Sequence, residues 1–148
     1  MPYLRITCPE LSAEQRRAIA ARLTDAVNEI FYNPRARLTR EELRERTTVH
    51  FASYRDGEIF IGGRTPQERG AIDLTVELSD WNMSARRQRK AARELTPLLA
   101  ELFAIPPSQR DNINIRFHPY PPTDFAVGGR LLSDIVPFFG RLMKRLFD

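Results

Sequence analysis

One cysteine, Cys8, and two histidines, His50 and His118, are all that this 148-residue chain holds of the residues that make disulfides and soft metal sites. A single cysteine closes no internal disulfide, and no Cys or His pair falls at zinc-type spacing, so neither a disulfide framework nor a bound metal is expected. No apolar run approaches 18 residues, which excludes a membrane-spanning helix by pattern. The opening "MPYLRITCPELSAEQRR" lacks the basic segment and apolar stretch of a secretory signal, so the cytoplasm is the expected location. Nor does one charge dominate: 23 Lys and Arg against 19 Asp and Glu leave +4, much of it arginine in stretches such as "ARRQRKAAR". A solvated helix face accounts for that pattern, and anionic ligands or nucleic acid are the alternatives it raises.

What is there is enough for one domain with a real core. Apolar residues make up 42% and charged residues 28%, a globular balance. Cys8 reads as a small buried hydrophobe on a first strand.

The chain also repeats itself. Residues 49–64, "VHFASYRDGEIFIGGR", align without a gap on residues 115–130, "IRFHPYPPTDFAVGGR". Val49 meets Ile115, Phe51 meets Phe117, Tyr54 meets Tyr120, Ile59 meets Phe125, Ile61 meets Val127, and Gly62-Gly63-Arg64 meets Gly128-Gly129-Arg130. Upstream of each copy stands a short alternating strand, "PYLRITC" or "AIDLTVEL", and then a helix opened by a serine. Ser12 with Gln15 makes a capping box, and Ile19, Leu23, Val27 and Ile30 recur on one face behind it. Ser84 opens the second helix, whose stripe is read as Ala91, Leu95, Leu98, Leu102 and Phe103, with Pro97 expected to kink it or remove a hydrogen bond. Thr39 and Glu42 cap a short helix inside the insertion 32–47.

The reading is therefore strand–helix–strand written twice: unit one over about 2–64, a polar join at 64–70, unit two over about 70–130, and an amphipathic tail at 131–148 that includes Arg141, Lys144 and Arg145. Right-handed crossovers place four strands in one sheet with both helices on one face, an α/β (α+β) fold. The other face is left bare, and its apolar residues are expected to be covered by further copies in an obligate oligomer. The Gly-Gly pairs fit turns that need positive φ.

Pro2 behind Met1, the βαβ unit and the Gly-Gly turn after the second strand resemble the tautomerase superfamily, over about residues 2–130. The two-unit pattern is similar to its long members, the cis-3-chloroacrylic acid dehalogenase and malonate semialdehyde decarboxylase groups and the fused 4-oxalocrotonate tautomerases. "VHFASYRDGEIFIGG" in particular is similar to the dehalogenase pattern V-x-F followed by G-x-[VI]-F-[LI]-G-G. The resemblance implies a tautomerase/MIF-like fold, a homotrimer of two-unit chains, no cofactor, and catalysis by the amine of Pro2 after removal of Met1, with one site per chain. It does not carry over everywhere. The short members' arginine before the first helix corresponds to Leu11, and their second-strand arginine to Thr48 and Asn114. The dehalogenase histidine falls on Val27, its arginines on Asp80 and Met83, and its glutamate on Val127.

The chemistry can be argued separately. A free secondary amine titrates in the range of an α-amino group, ~7.7–8.0, and apolar burial lowers it, so it can take a proton beside a carbonyl and return it to carbon. Cations must then hold the substrate acid. Arg116 is the first candidate, on a strand face shared with Asn114 and His118, with His50 at the matching first-unit position; Arg5 and the loop residue Trp81 complete the substrate-binding set. The expected activity is tautomerisation of a small 2-oxo or enol carboxylic acid. Hydration, dehalogenation or decarboxylation of a three-carbon acid by the same proline is the alternative. A non-catalytic interaction module or an RNA-binding one is the reading from another class, disfavoured because neither second strand carries the aromatic triplet of an RNP motif.

Overall fold

The computed structural model describes residues 1–36 and 38–136; the tail cations Arg141, Lys144 and Arg145 lie outside the described residues. Strand β1 (Tyr3–Pro9) runs into helix α1 (Ala13–Phe31), α2 (Arg40–Glu45) and β2 (Thr48–Tyr54). The polar join forms a single-turn helix α3 (Pro66–Arg69) before β3 (Leu74–Trp81), α4 (Ala85–Leu102) and β4 (Ile113–Tyr120). A hairpin of β5 (Ala126–Val127) and β6 (Arg130–Leu131) and a short α5 (Leu132–Ile135) close the described chain.

The local signals behave as their chemistry requires. Ser12, Thr39 and Thr65 each accept from the backbone N–H three residues on, and Gln15, Glu42 and Glu68 return the bond, so α1, α2 and α3 all begin at complete capping boxes. Gly128 and Gly129 have φ of 57° and 78°, the double left-handed conformation that a two-residue hairpin needs and that side chains resist. Gly62 and Gly63 repeat it at 60° and 76°.

The sheet order is β2-β1-β3-β4, with each unit's two strands parallel and the two units meeting antiparallel through β1 and β3. Alternation sends Leu4, Ile6, Cys8, Leu74, Val76 and Leu78 to the helix side, where they are fully buried with Leu23, Val27, Leu95 and Leu99. Each such aliphatic side chain contributes about 1.5–3 kcal/mol on leaving water. Burial also pushes the Cys8 thiol up, so it stays protonated as a packing group.

Two expectations need correction, and a third is narrowed. The buried line of α4 is Ala91, Leu95, Leu99 and Ala100; Leu98, Leu102 and Phe103 only flank it, because the i, i+4 spacing from Leu95 reaches Leu99. At Pro97 the lost hydrogen bond is the alternative that holds, since proline has no N–H, and α4 continues past it to Leu102 with the ring on the solvent side. The bare sheet face is polar: Thr48, Tyr3, Ser79 and His118 form one cross-strand row, and His50, Arg5, Glu77 and Arg116 the next. Of the exposed large apolar residues only Tyr3 lies on the sheet, while Phe60, Val127, Leu131 and Ile135 sit on or beside the hairpins, so the apolar argument for an oligomer belongs chiefly to those turns.

Within α4, Pro97 removes one backbone donor and presses its ring on the preceding turn. Pro97→Ala is expected to raise stability by about 1–3 kcal/mol in denaturant melts, and an unchanged or lower midpoint would show that the surrounding helix had already relaxed around the ring.

Candidate functional site

The antiparallel meeting of the two units decides where the chain's amino end lies. Tyr3 pairs with Ser79 and Leu4 with Leu78, and one more step of that register sets Pro2 opposite Asp80. The Pro2 carbonyl accepts from the Thr48 N–H at 3.1 Å, which pins it to β2 on the other side. Pro2 is fully buried and Asp80 is 3% exposed. The terminal ammonium, carried here by Met1, donates to Asp80 Oδ1 at 2.6 Å and reaches the Tyr120 hydroxyl at 3.4 Å. A buried carboxylate needs a charge partner, and the chain's own amine is one.

Tyr120 is placed by the end of β4. Its carbonyl accepts from the Asn82 N–H at 2.8 Å, where Asn82 takes a left-handed φ of 47° as β3 turns into α4. Its ring packs on Phe125, centroids 5.6 Å apart. Burial, reinforced by the charge of Asp80, pushes the phenol up to about 12, so it keeps its proton and remains a donor.

The repeat supplies an internal comparison. Tyr54, the match of Tyr120, donates to the Asp73 carbonyl at 2.8 Å and accepts from the Asp73 N–H at 3.1 Å, just before β3. In both units the tyrosine ending the second strand reaches the chain entering a first strand. Only in one is that chain a free end. The cleft beside Tyr54, about 500 Å3, lies among Pro9, Ile72 and Ile105, with Arg55 bonded to Glu10 at 2.8 Å, and has no amine.

The residues expected from sequence fall in three places. Pro2 and half-buried Trp81, which pairs with Tyr120 in register, stand at the amine end. Arg5, His50 and Arg116 share the second row of the open face, about 10 Å along the strands from Pro2 and on the other side of the sheet. There Arg5 meets Glu77 at 3.5 Å, which also lies 3.7 Å from His118, and His50 Nδ1 is 2.8 Å from the Tyr3 hydroxyl. Asn114 is one row further and bonds only locally, to the Asn112 carbonyl. Asp80 and Tyr120, which meet the terminal amine, are not among the residues expected from sequence. The signal that finds them is the antiparallel pairing of the units, which no single-unit motif encodes. Among the described residues no three His, Cys, Asp or Glu side chains gather as a metal site.

A family model described as "Tautomerase enzyme" matches residues 2–40. No curated protein matches the chain significantly. Among solved structures, Pt0534 inactivated by 2-oxo-3-pentynoate is 20% identical at a TM-score of 0.72, covering 91% of this chain and 99% of that one. The F6 fused 4-OT, an asymmetric trimer, is 16% identical at 0.74, with 91% and 99% covered. N1, a member of the cis-3-chloroacrylic acid dehalogenase family, is 18% identical at 0.68, with 96% and 88% covered. The fold is that of the long, two-unit members of the tautomerase superfamily, as the resemblance implied.

Because folding favours the neutral Tyr120 phenol, its stabilising contribution is complete below the ordinary phenol range near ~10 and is lost as pH rises through about 12. Tyr120→Phe is expected to delete the last step of the ultraviolet tyrosine titration and to move alkaline unfolding to higher pH. A late step that survives in the variant would assign it to another tyrosine.

Proposed function

We propose, for a chain with the two-unit tautomerase fold, that it is a cofactor-independent isomerase of small 2-oxo or enol carboxylic acids, with Pro2 as its acid and base once Met1 is removed. The observation that carries this reading is the ammonium 2.6 Å from buried Asp80 and 3.4 Å from Tyr120. Removal of Met1 transfers the amine to the Pro2 nitrogen, opposite Asp80. That nitrogen takes the enol O–H proton, the C=O forms, and the same proton returns to the neighbouring carbon, so substrate and product are isomers. The Tyr120 phenol donates to the oxygen on which charge develops.

Asp80 changes the expected resting state. Apolar burial lowers an amine's pKa, while a carboxylate opposite it in register favours the ammonium and opposes that fall. Turnover is expected to grow as rising pH frees the proline amine. The same feature supports the second reading, in which the charged proline donates a proton during hydration, dehalogenation or decarboxylation of a three-carbon acid. In either case the substrate's carboxylate needs a cation. Arg116 makes no ion pair among the described residues, yet it lies across the sheet from Pro2, so a neighbouring copy in an oligomer supplies the anchor. Several structural neighbours are described as trimers.

Intact mass of the purified protein tests the first step, since retained methionine leaves Pro2 an amide with no basic nitrogen. Ketonisation of phenylenolpyruvate or 2-hydroxymuconate, followed by absorbance, tests the second: Pro2→Ala is expected to lower kcat/KM by about 10²-fold. Equal rates would sink the proposal. Asp80→Asn is expected to move the rising limb of the pH–rate profile down by about one pH unit or more, with an unmoved limb removing Asp80 from the mechanism. Product analysis with 3-haloacrylate and malonate semialdehyde separates the second reading.

A further inference from the structure

A groove of about 590 Å3 opens on the helix side of the molecule, away from the amine and independent of the function proposed for it. Its apolar contribution is Ile30 and Tyr32, and the rest of its lining is Arg86, Arg87, Arg89, Lys90 and Arg93, with no acidic residue among them. Arg87 turns inward over the Phe31 ring, 5.4 Å from its centroid. Lys90 reaches only the Glu29 carbonyl, at 3.4 Å, and Arg93 the adjacent Glu94, at 3.2 Å. Arg86 and Arg89 make no ion pair among the described residues.

This arrangement works against the helix that carries it. Arg86 and Arg89, Arg86 and Lys90, Arg89 and Arg93, and Lys90 and Arg93 are like charges three or four residues apart, each a destabilising pair. The cluster also crowds cations into the first half of α4, where the helix dipole repels them, and α4 has no acidic residue in its first turn. The matching helix of unit one differs at its start: in α1, Glu14 occupies the first turn, and Arg22 pairs across to Glu101 near the far end of α4 at 2.6 Å. A merely solvated face needs no such one-sided charge.

We infer that this groove binds a ligand carrying two or more phosphate groups. Guanidinium forks match phosphate oxygens in pairs. From Arg86 to Arg93 the cations extend over about 10 Å of helix, more than one carboxylate or one phosphate can meet. That span suits a di- or triphosphate chain or two successive phosphodiesters, and binding relieves the repulsion that the free helix sustains.

Calorimetry with inorganic tripolyphosphate is the direct test, alongside anisotropy with a labelled 12-nucleotide single-stranded RNA. Wild type is expected to bind tripolyphosphate, to bind it more weakly at 200 mM than at 50 mM NaCl, and to melt at a higher temperature in its presence. Combined Arg86→Gln, Arg89→Gln and Arg93→Gln is expected to weaken binding at least tenfold while the free variant melts no lower than wild type and enol-acid turnover is unchanged. Tripolyphosphate binding without RNA binding identifies a small ligand, and RNA bound and displaced by tripolyphosphate identifies a phosphodiester backbone; both support the site. Absence of binding, equal affinity in the triple variant, or an equal loss in the charge-matched control Arg16→Gln, Arg17→Gln and Arg110→Gln would overturn it.

Discussion

The structure turns on a buried carboxylate placed under the beginning of its own chain. Asp80 is 3% exposed at the end of β3, where an unpartnered charge is costly, and the terminal amine meets it at 2.6 Å. The pair exists only because β1 and β3 run antiparallel. That pairing joins the two repeated units and sets the first residues of one against the last residues of the other. The placing of the amine against Asp80 is thus a consequence of one contact between units.

Duplication makes the asymmetry of the site intelligible. Each unit ends its second strand on a tyrosine directed at the chain entering a first strand, and Tyr54 finds there a peptide group that satisfies it in both directions. Tyr120 finds a charge. Chain continuity, more than side-chain replacement, disarms the second position, since no substitution within β3 can create an amine at Asp73. The two tyrosines thus meet different groups because only one unit begins at a free chain end.

The fold was legible because its information is local and repeated. Capping boxes at Ser12 and Thr39, paired glycines at two hairpins and alternating strands each report on a few neighbouring residues. The α4 stripe was misread at Leu99 because "LTPLLAELF" offers several apolar residues within one turn, and only packing chooses among them. Pro2 was legible as a motif. Asp80 was visible only as a departure from the dehalogenase pattern, and its meaning required knowing that residue 80 lies opposite residue 2. The open face was misjudged for a related reason: alternation grouped Arg116 with Asn114 and His118 on one face of a strand, but whether the bare face is polar depends also on Thr7, Thr75, Glu77 and Ser79, which matter only when the strands are laid side by side.

The charges left over follow the same division. On the open face Glu77 stands between Arg5 at 3.5 Å and His118 at 3.7 Å, so this patch is partly neutralised within the chain, while Arg116 makes no ion pair among the described residues. On the helix side, α1 carries Glu14 in its first turn, while the first half of α4 carries five cations and no acid. Two helices that occupy equivalent places on one sheet face the same packing demands, and their buried stripes meet those demands alike. A difference confined to their solvent faces therefore cannot be a requirement of the fold. It reflects what each helix meets outside the chain, as the carboxylate of Asp80 reflects what the chain brings to itself.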